Sequence, residues 1–176
     1  MDLIDVLLPE IGTKESPPNS NNVKYNTWFY GKPVSGKDYA WCMVLLSWGL
    51  FQIGKPLAKI KTAAGKLINF GYTKGAAGCS TALQKFKELG WIIPIENAQR
   101  NDLVFYDWDG NGAFDHVEAF FSKLGTNSFE TIGGNTSVGN NSDGGEVLHR
   151  TDRKYNYGPN SKIKMIAVRI PQQIKY

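Results

Sequence analysis

Residues 39–53 constrain the fold more than any other part of the chain, because they are almost entirely apolar. This composition predicts a helix that is buried on most of its sides. Cys42 lies at the start of the segment, where Asp38 is placed to cap the helix. The amides and dipole of a helix N-terminus favour negative charge, which lowers the pKa of a thiol. Cys42 is therefore a candidate nucleophile, with a small buried hydrophobic residue as the alternative interpretation.

The remaining pattern predicts helices first and strands later. Helical spacing of apolar residues predicts one helix in residues 3–11, and two more are predicted over residues 57–69 and 80–89, the last closed by Gly90. Short β-rich runs follow, at residues 103–106, 116–122, 128–132, 146–149 and 163–170. This order predicts an α+β fold with an antiparallel sheet. The cysteine helix is expected to pack on that sheet and to bring Cys42 to the strand of His116.

The chain has two histidines, and only one is a candidate base. His116 begins a predicted strand downstream of Cys42, whereas His149 is interpreted as a surface or edge-strand residue. A nucleophilic thiolate needs a base beside it, and that base needs an orienting group. Asn135 follows the strand over residues 128–132 and is the natural third member, although Gly-Gly-Asn is also common turn chemistry.

Five segments in a fixed order carry a resemblance to a known family. They are residues 15–21 followed by Lys24 and Tyr25, then Trp41 and Cys42, residues 101–106, residues 107–117 and residues 132–137. Together they resemble the CHAP domains (cysteine, histidine-dependent amidohydrolases/peptidases) of phage and bacterial peptidoglycan hydrolases. The resemblance implies a papain-like fold, with Cys42 as nucleophile, His116 as base, and Asn135 or a nearby carboxylate as the orienting group.

Two positions depart from the family pattern. Family members often carry a carboxylate where this chain has Gly133, and usually carry glycine where it has Glu118. The missing carboxylate makes Asn135 the preferred orienting group, with Glu130 as the alternative. Glu118 shares a strand face with His116, because side chains alternate along a strand. It is expected to line the site or to contact a substrate amine, with a solvated strand residue as the alternative.

Residues 107–118 also fit the twelve-residue calcium-loop pattern. Oxygen ligands would come from Asp107, Asp109, Asn111 and Asp115, with Gly112 at the sixth position and Glu118 at the twelfth. Strands replace the helices that flank such a loop in an EF-hand, and a plain strand connection is the alternative. No cofactor is expected to be required. Calcium, if bound, would make the loop before His116 more rigid.

Length and composition indicate one domain over residues 1–176, and the resemblance implies that this domain is catalytic. Cys79 is predicted to be a packing residue at a helix start that forms no disulfide with Cys42. The 20 basic and 16 acidic residues are scattered, so nucleic acid is not an expected partner, and a monomer is expected. No apolar run is long enough to span a bilayer. An acidic N-terminus without an export signal predicts synthesis in the cytoplasm and action on the cell wall after release or delivery.

The expected reaction is hydrolysis of a peptidoglycan amide bond through a thioester, as in an endolysin. Tyr39 and Trp41 are candidates for the cleft wall, with core packing as the alternative. Three other functions share these residues: a transamidase, an antibacterial toxin or effector, and a non-catalytic wall- or calcium-binding module. The sequence does not distinguish a muramoyl–alanine amide from a peptide bond as the target.

Overall fold

The computed structural model describes residues 1–137 and 144–176. Its helices are α1 (Leu3–Leu7), α2 (Lys24–Tyr30), α3 (Cys42–Gln52) and α4 (Cys79–Leu89). Its strands are β1 (Lys59–Lys61), β2 (Leu67–Asn69), β3 (Ile92–Ile93), β4 (Leu103–Asp107), β5 (His116–Lys123), β6 (Ser128–Thr136), β7 (Glu146–Lys154) and β8 (Lys164–Val168). Apart from β1 and β2, which precede α4, the helices come before the strands, and the fold is α+β as the sequence predicts.

Six strands form one antiparallel sheet in the order β3-β8-β4-β5-β6-β7. Strand β5 lies inside the sheet, between β4 and β6, whereas β7 is at an edge. The register places Tyr106 opposite His116 and Val104 opposite Glu118. The face and neighbours of the candidate base are therefore set by strands on both sides.

Helix α3 packs against β5 and β6, because nearly every one of its residues is apolar. The main core includes Leu45 and Leu46 of α3 together with Val117, Ala119 and Ile132 of the sheet. A smaller apolar cluster lies apart from it, with Val104 and Tyr106 of β4, Phe120 of β5 and Phe129 of β6 among its members. Alternation along β4 and β5 thus sends successive side chains into two different clusters. The prediction that the cysteine helix packs on the sheet is confirmed.

The prediction of a helix over residues 57–69 is wrong. Strands β1 and β2 form a two-stranded hairpin there, paired with Ile60 opposite Ile68. Each strand buries only its central residue, which is the period-two pattern of a strand. Gly65 has a φ of +86°, in the left-handed region that interrupts a helix and favours a turn.

Other boundaries also differ from the sequence-based prediction. Helix α2 was not predicted, and β6 continues to Thr136, past the point where Asn135 was expected to follow the strand. Gly90 does terminate α4, with a φ of +74° in the left-handed region. Among the described residues, no helix is both long enough and apolar enough to cross a membrane.

Candidate active site

Cys42 is the first residue of α3, and it is buried. In the part of the chain that the structure describes, no side chain caps this helix. The N-cap residue is Trp41, and Asp38 lies in a separate 3₁₀ turn, so the expected Asp38 cap is wrong. The amide of Leu45 is bonded to the carbonyl of Trp41. Amides earlier in a helix have no acceptor inside it, so the first turn of α3 is a source of donors for negative charge near Cys42.

The imidazole of His116, at the start of β5, interacts with the Cys42 thiol and helps to lower its pKa. Burial alone would lower the pKa of His116, but Cys42 and Glu118 outweigh it and raise this pKa to about 9. The pKa of Cys42 is lowered, first by a hydrogen bond with Cys79 and then by His116, against the effect of burial. Both shifts favour a thiolate beside an imidazolium over two neutral groups.

Glu118 holds the other side of the imidazole. Its Oε1 lies 3.1 Å from Nε2 of His116, so this contact engages one of the two ring nitrogens. Thr131 donates a hydrogen bond of 2.6 Å to Oε2 of Glu118, and Arg153 on β7 donates to both carboxylate oxygens, with Nε 2.8 Å from Oε2. Glu118 is fully buried, and burial would raise its pKa, yet the charge of Arg153 and the hydrogen bond to His116 hold it well below its usual range.

Aromatic rings enclose the Arg153 side of this network. The guanidinium lies 5.2 Å from the ring centre of Tyr106 and 5.1 Å from that of Trp108, within cation–π range. The two rings stack on each other with centres 4.5 Å apart, and both lie near the His116 ring. Exclusion of water by these rings strengthens the interaction between Arg153 and Glu118.

Among the described residues, neither of the two expected orienting groups forms a hydrogen bond with His116. Glu130 instead lies 2.8 Å from Nε2 of His149 and accepts a hydrogen bond from Ser122. Asn135 is buried on β6 with a φ of +53°, and its Oδ1 has no hydrogen-bond partner among the described residues. Glu118, expected to line the cleft or contact substrate, occupies the orienting position instead.

Cys79 was predicted at a helix start, and it is the first residue of α4. Its contact was not predicted: the two Sγ atoms of Cys42 and Cys79 lie 3.3 Å apart, and both residues are free cysteines. The hydrogen bond to Cys42, together with burial and the charges of Cys42 and Asp115, raises the pKa of Cys79. These opposite shifts favour the proton on Cys79 and the negative charge on Cys42.

The two aromatic candidates for the cleft wall have different positions. Trp41 is fully buried, with Nε1 donating a hydrogen bond of 2.8 Å to Glu15, so its assignment to the cleft wall is wrong. Tyr39 is half-buried and packs edge-on against Tyr30. Tyr30 lines a cavity of about 470 Å³ that reaches the residues just before both cysteines. The cavity is lined by Tyr30, Asp38, Ala40, Phe70, Gly71, Tyr72, Ala76, Ala77, Gly78 and Thr81.

The loop between β4 and β5 brings three carboxylates together. One oxygen each from Asp107, Asp109 and Asp115 lies within 4.8 Å of the others. The oxygens of Asp107, however, accept hydrogen bonds from the amides of residues 110, 111 and 112, and Oδ1 of Asn111 accepts from Ala113. Glu118 is engaged with Arg153 and does not serve as the twelfth-position ligand. The residues therefore fit the calcium-loop pattern only in part, because loop amides already occupy two of its expected ligands.

Arg153 and Thr131 are the site residues that the sequence did not reveal. Strand β7 continues to Lys154, five residues past the end expected for it, and Arg153 lies in that extension. In the sheet, β6 lies between β7 and β5. The contact of Arg153 with Glu118 therefore reaches across an intervening strand and depends on the order of the strands in the sheet. No local pattern in the sequence marks such a contact.

No family model, curated protein or solved structure matches this chain.

Proposed function

We propose that the protein is a cysteine amidohydrolase of the CHAP type, with a papain-like arrangement, that cleaves an amide bond in bacterial peptidoglycan. The supporting observation is the contact of 3.1 Å between His116 and the buried Glu118, together with the effect of His116 in lowering the pKa of Cys42. A thiol at a helix start, an imidazole and an orienting carboxylate are the groups that acyl transfer to cysteine needs. The choice of peptidoglycan rests on the family resemblance of the five sequence segments.

In the proposed reaction, the Cys42 thiolate attacks the amide carbonyl and forms a tetrahedral intermediate. Amides of the first turn of α3 point toward the developing oxyanion and stabilise it. The His116 imidazolium protonates the leaving amine, which produces a thioester on Cys42. The neutral imidazole then takes a proton from water, and the resulting attack releases the acyl group. Glu118 keeps the imidazole oriented and favours its protonated form.

The proposal reassigns the orienting role from Asn135 to Glu118. Space at Gly133 allows this: a Cβ placed on Gly133 would lie 2.6 Å from Cγ of Glu118. The Glu118 side chain thus lies against the backbone where the resembled family often carries a carboxylate. The two departures from the family pattern, glycine at 133 and glutamate at 118, therefore compensate for each other. The carboxylate comes from β5 instead of β6.

The cavity beside the cysteines is the proposed substrate cleft. Ala40 precedes Cys42 by two residues and Gly78 directly precedes Cys79, so the cavity is close to the nucleophile. Tyr30, Phe70 and Tyr72 supply an aromatic wall, and Asp38 is its one charged lining residue. Aromatic rings with a single carboxylate suit the amine-bearing side chain of a stem peptide or cross-bridge.

Replacement of the nucleophile tests the proposal. Cys42→Ser is expected to keep the circular dichroism spectrum of the wild type and to lose at least about a thousandfold in the rate of peptidoglycan digestion. A hydroxyl has nearly the same size but is far less ionised beside the histidine. Digestion of purified cell walls is measured by mass spectrometry of the released fragments, which also identifies the bond that is cut.

Iodoacetamide provides the matched control. Reduced wild-type protein is expected to be labelled at Cys42, and the labelled protein to lose digestion. A Cys42→Ser variant that retains more than about a tenth of the wild-type rate would contradict the nucleophile assignment. Absence of both labelling and digestion would favour the non-catalytic module, and attachment of an added amine to the released fragments would favour a transamidase.

A further inference from the structure

The second cysteine lies directly against the proposed nucleophile. Cys42 begins α3 and Cys79 begins α4, and their Sγ atoms are 3.3 Å apart. The chain contains no other cysteine, so any disulfide within one molecule must join these two. Hydrolysis through a thioester uses one thiol only, which leaves the close approach of Cys79 without a role in that reaction.

We propose that Cys42 and Cys79 form a reversible disulfide when the protein meets a hydroperoxide, and that this oxidation switches off the amide-cleaving site. The switch rests on the proposed function, because it acts by removing the Cys42 thiolate. Formation of the disulfide itself depends only on the two thiols. The site is thus both a hydrolytic centre and a site of oxidative modification.

The chemistry takes two steps and consumes one hydroperoxide. The Cys42 thiolate attacks one peroxide oxygen, the O–O bond breaks, and Cys42 becomes a sulfenic acid while the leaving oxygen takes up a proton. The Cys79 sulfur then attacks the Cys42 sulfur, the S–O bond breaks, and hydroxide leaves with the Cys79 proton as water. Two thiols lose two electrons in total, and the hydroperoxide gains them.

The geometry favours capture by Cys79 over further oxidation. A disulfide has an S–S bond of about 2.0 Å, so the two sulfurs need to approach by little more than 1 Å. Both residues are buried, with 3 % and 7 % of their surfaces exposed, which limits access of a second oxidant. The cavity lined by Ala40 and Gly78 brings solvent close to the chain segments that hold the two cysteines.

The two thiols are also unequal, which sets the order of the steps. His116 helps to lower the pKa of Cys42, whereas the charges of Cys42 and Asp115 help to raise the pKa of Cys79. The thiolate form reacts with peroxide, so Cys42 is oxidised first and Cys79 attacks second. Once the Cys42 sulfenic acid forms, the negative charge that held the Cys79 proton is gone.

Peptide mass spectrometry of the full chain tests the proposal. Wild-type protein is treated with hydrogen peroxide, alkylated with iodoacetamide and digested with trypsin. We expect the loss of two hydrogens from the intact mass and one cross-linked species that joins residues 38–59 to residues 75–85. Treatment with dithiothreitol is expected to separate the two peptides and to restore alkylation of Cys42.

Cys79→Ser is the matched variant. Without the second thiol, peroxide is expected to add oxygen atoms to Cys42, and dithiothreitol is expected not to restore alkylation once the sulfinic acid has formed. Wild-type protein that gains oxygen instead of the cross-link, or a Cys79→Ser variant that recovers as the wild type does, would overturn the proposal. Since the wild-type measurement needs no variant, poor folding of Cys79→Ser leaves the test intact.

The same samples separate this proposal from the proposed function. Reduced protein that digests cell walls but forms no cross-link with peroxide overturns the switch and leaves the hydrolase assignment standing. A reversible cross-link in protein that digests no walls in its reduced form overturns the hydrolase assignment, and with it the regulatory role of the disulfide. Recovery of digestion with dithiothreitol, in step with loss of the cross-link, is the expected result.

Discussion

Each histidine of the chain is held by a different carboxylate. Glu118 lies against His116 in the interior, whereas Glu130 lies against His149, whose side chain is 32 % exposed. The two pairs have the same kind of contact at distances of 3.1 and 2.8 Å. Only the first pair adjoins the Cys42 thiol. The two carboxylates therefore form a matched pair for experiments on the orienting role.

The pH dependence of digestion should change with Glu118 and not with Glu130. Because the pKa of His116 is raised to about 9, the imidazolium that protonates the leaving amine is lost as the pH rises through that value. Digestion by the wild type is expected to fall there. Glu118→Gln is expected to move this alkaline limb to lower pH and to slow digestion by about ten- to a thousandfold. Glu130→Gln is the control and should leave the profile unchanged.

Two further measurements support this test. Glu118→Gln leaves the charge of Arg153 buried without its partner, so the fold of this variant is checked by circular dichroism. Thr131→Val is a milder variant, because it removes only one hydrogen bond to Glu118. The stability that His116 gains from its partners is fully present below its unfolded pKa of 6.5 and is lost as the pH rises through about 9. An unchanged alkaline limb in a folded Glu118→Gln variant would exclude Glu118 as the orienting group.

Among the elements, the loop between β4 and β5 positions the start of the His116 strand. Asp107 ends β4, is fully buried, and accepts three loop amides at distances of 2.8 to 3.2 Å. The Asp107 carboxylate thus holds the loop closed through hydrogen bonds, which is the role that a bound cation would otherwise have. The conformation of the loop therefore depends on Asp107 itself.

Replacement of Asp107 should destabilise the protein more than removal of calcium does. Asp107→Ala leaves three amides without their acceptor, and we expect a loss of about 1–3 kcal/mol in the free energy of unfolding. Asp109→Ala is the control, because Asp109 is exposed, and should change stability by less than about 0.5 kcal/mol. Chemical denaturation measures both. A chelator is expected to leave the denaturation midpoint of the wild type unchanged. A midpoint that rises when calcium is added would instead support a bound ion.

At the scale of the whole molecule, the helix layer and the sheet layer are in close contact at Gly134. A Cβ on this residue would lie 2.4 Å from the Trp41 ring and 2.7 Å from Leu45. Helix α3 rests on β6 at this point, next to the turn that carries Cys42. Because Gly134 has no side chain, Trp41 and Leu45 pack directly on the backbone of β6. This contact sets the distance between α3 and the sheet.

Gly134→Ala should push these layers apart. We expect a loss of about 1–3 kcal/mol in stability, because the added methyl has no room beside Trp41 and Leu45. Digestion should fall as well, since displacement of α3 moves Cys42 relative to His116. Gly125→Ala is the control: its new Cβ would meet only the Ser128 hydroxyl, at 3.3 Å. Equal stability of the two variants in thermal unfolding would contradict this account of the interface.

The order of helices and strands was predictable because strong local patterns specify it. The apolar run of α3 and the alternation around His116 led to the correct elements, and the two-residue spacing of His116 and Glu118 placed them on one strand face. The hairpin of β1 and β2 was missed because its strands are three residues long and bury one residue each.

Long-range pairing explains what the sequence could not indicate about the site. The contact between Arg153 and Glu118 depends on the register of β7, and that between Cys42 and Cys79 depends on how two helix N-termini meet. Neither relation leaves a periodic signal in the chain. Asn135 is the orienting group preferred from the sequence because Gly133 stands where the resembled family often has a carboxylate, whereas in the structure the carboxylate of Glu118 lies against His116.

The position of Arg153 on the edge strand has a consequence for the newly made chain. Ribosomes release a protein from its N-terminus, so Cys42, His116 and Glu118 emerge before Arg153 does. Until β7 joins the sheet, Glu118 lacks the cation that lets its charge be buried beside the imidazole. A nascent chain thus contains Cys42 and His116 well before Arg153 is present to stabilise the charge of Glu118 beside the imidazole. Under the proposed function, amide cleavage starts only after synthesis has passed β7, which gives the producing cell a delay that is set by strand order.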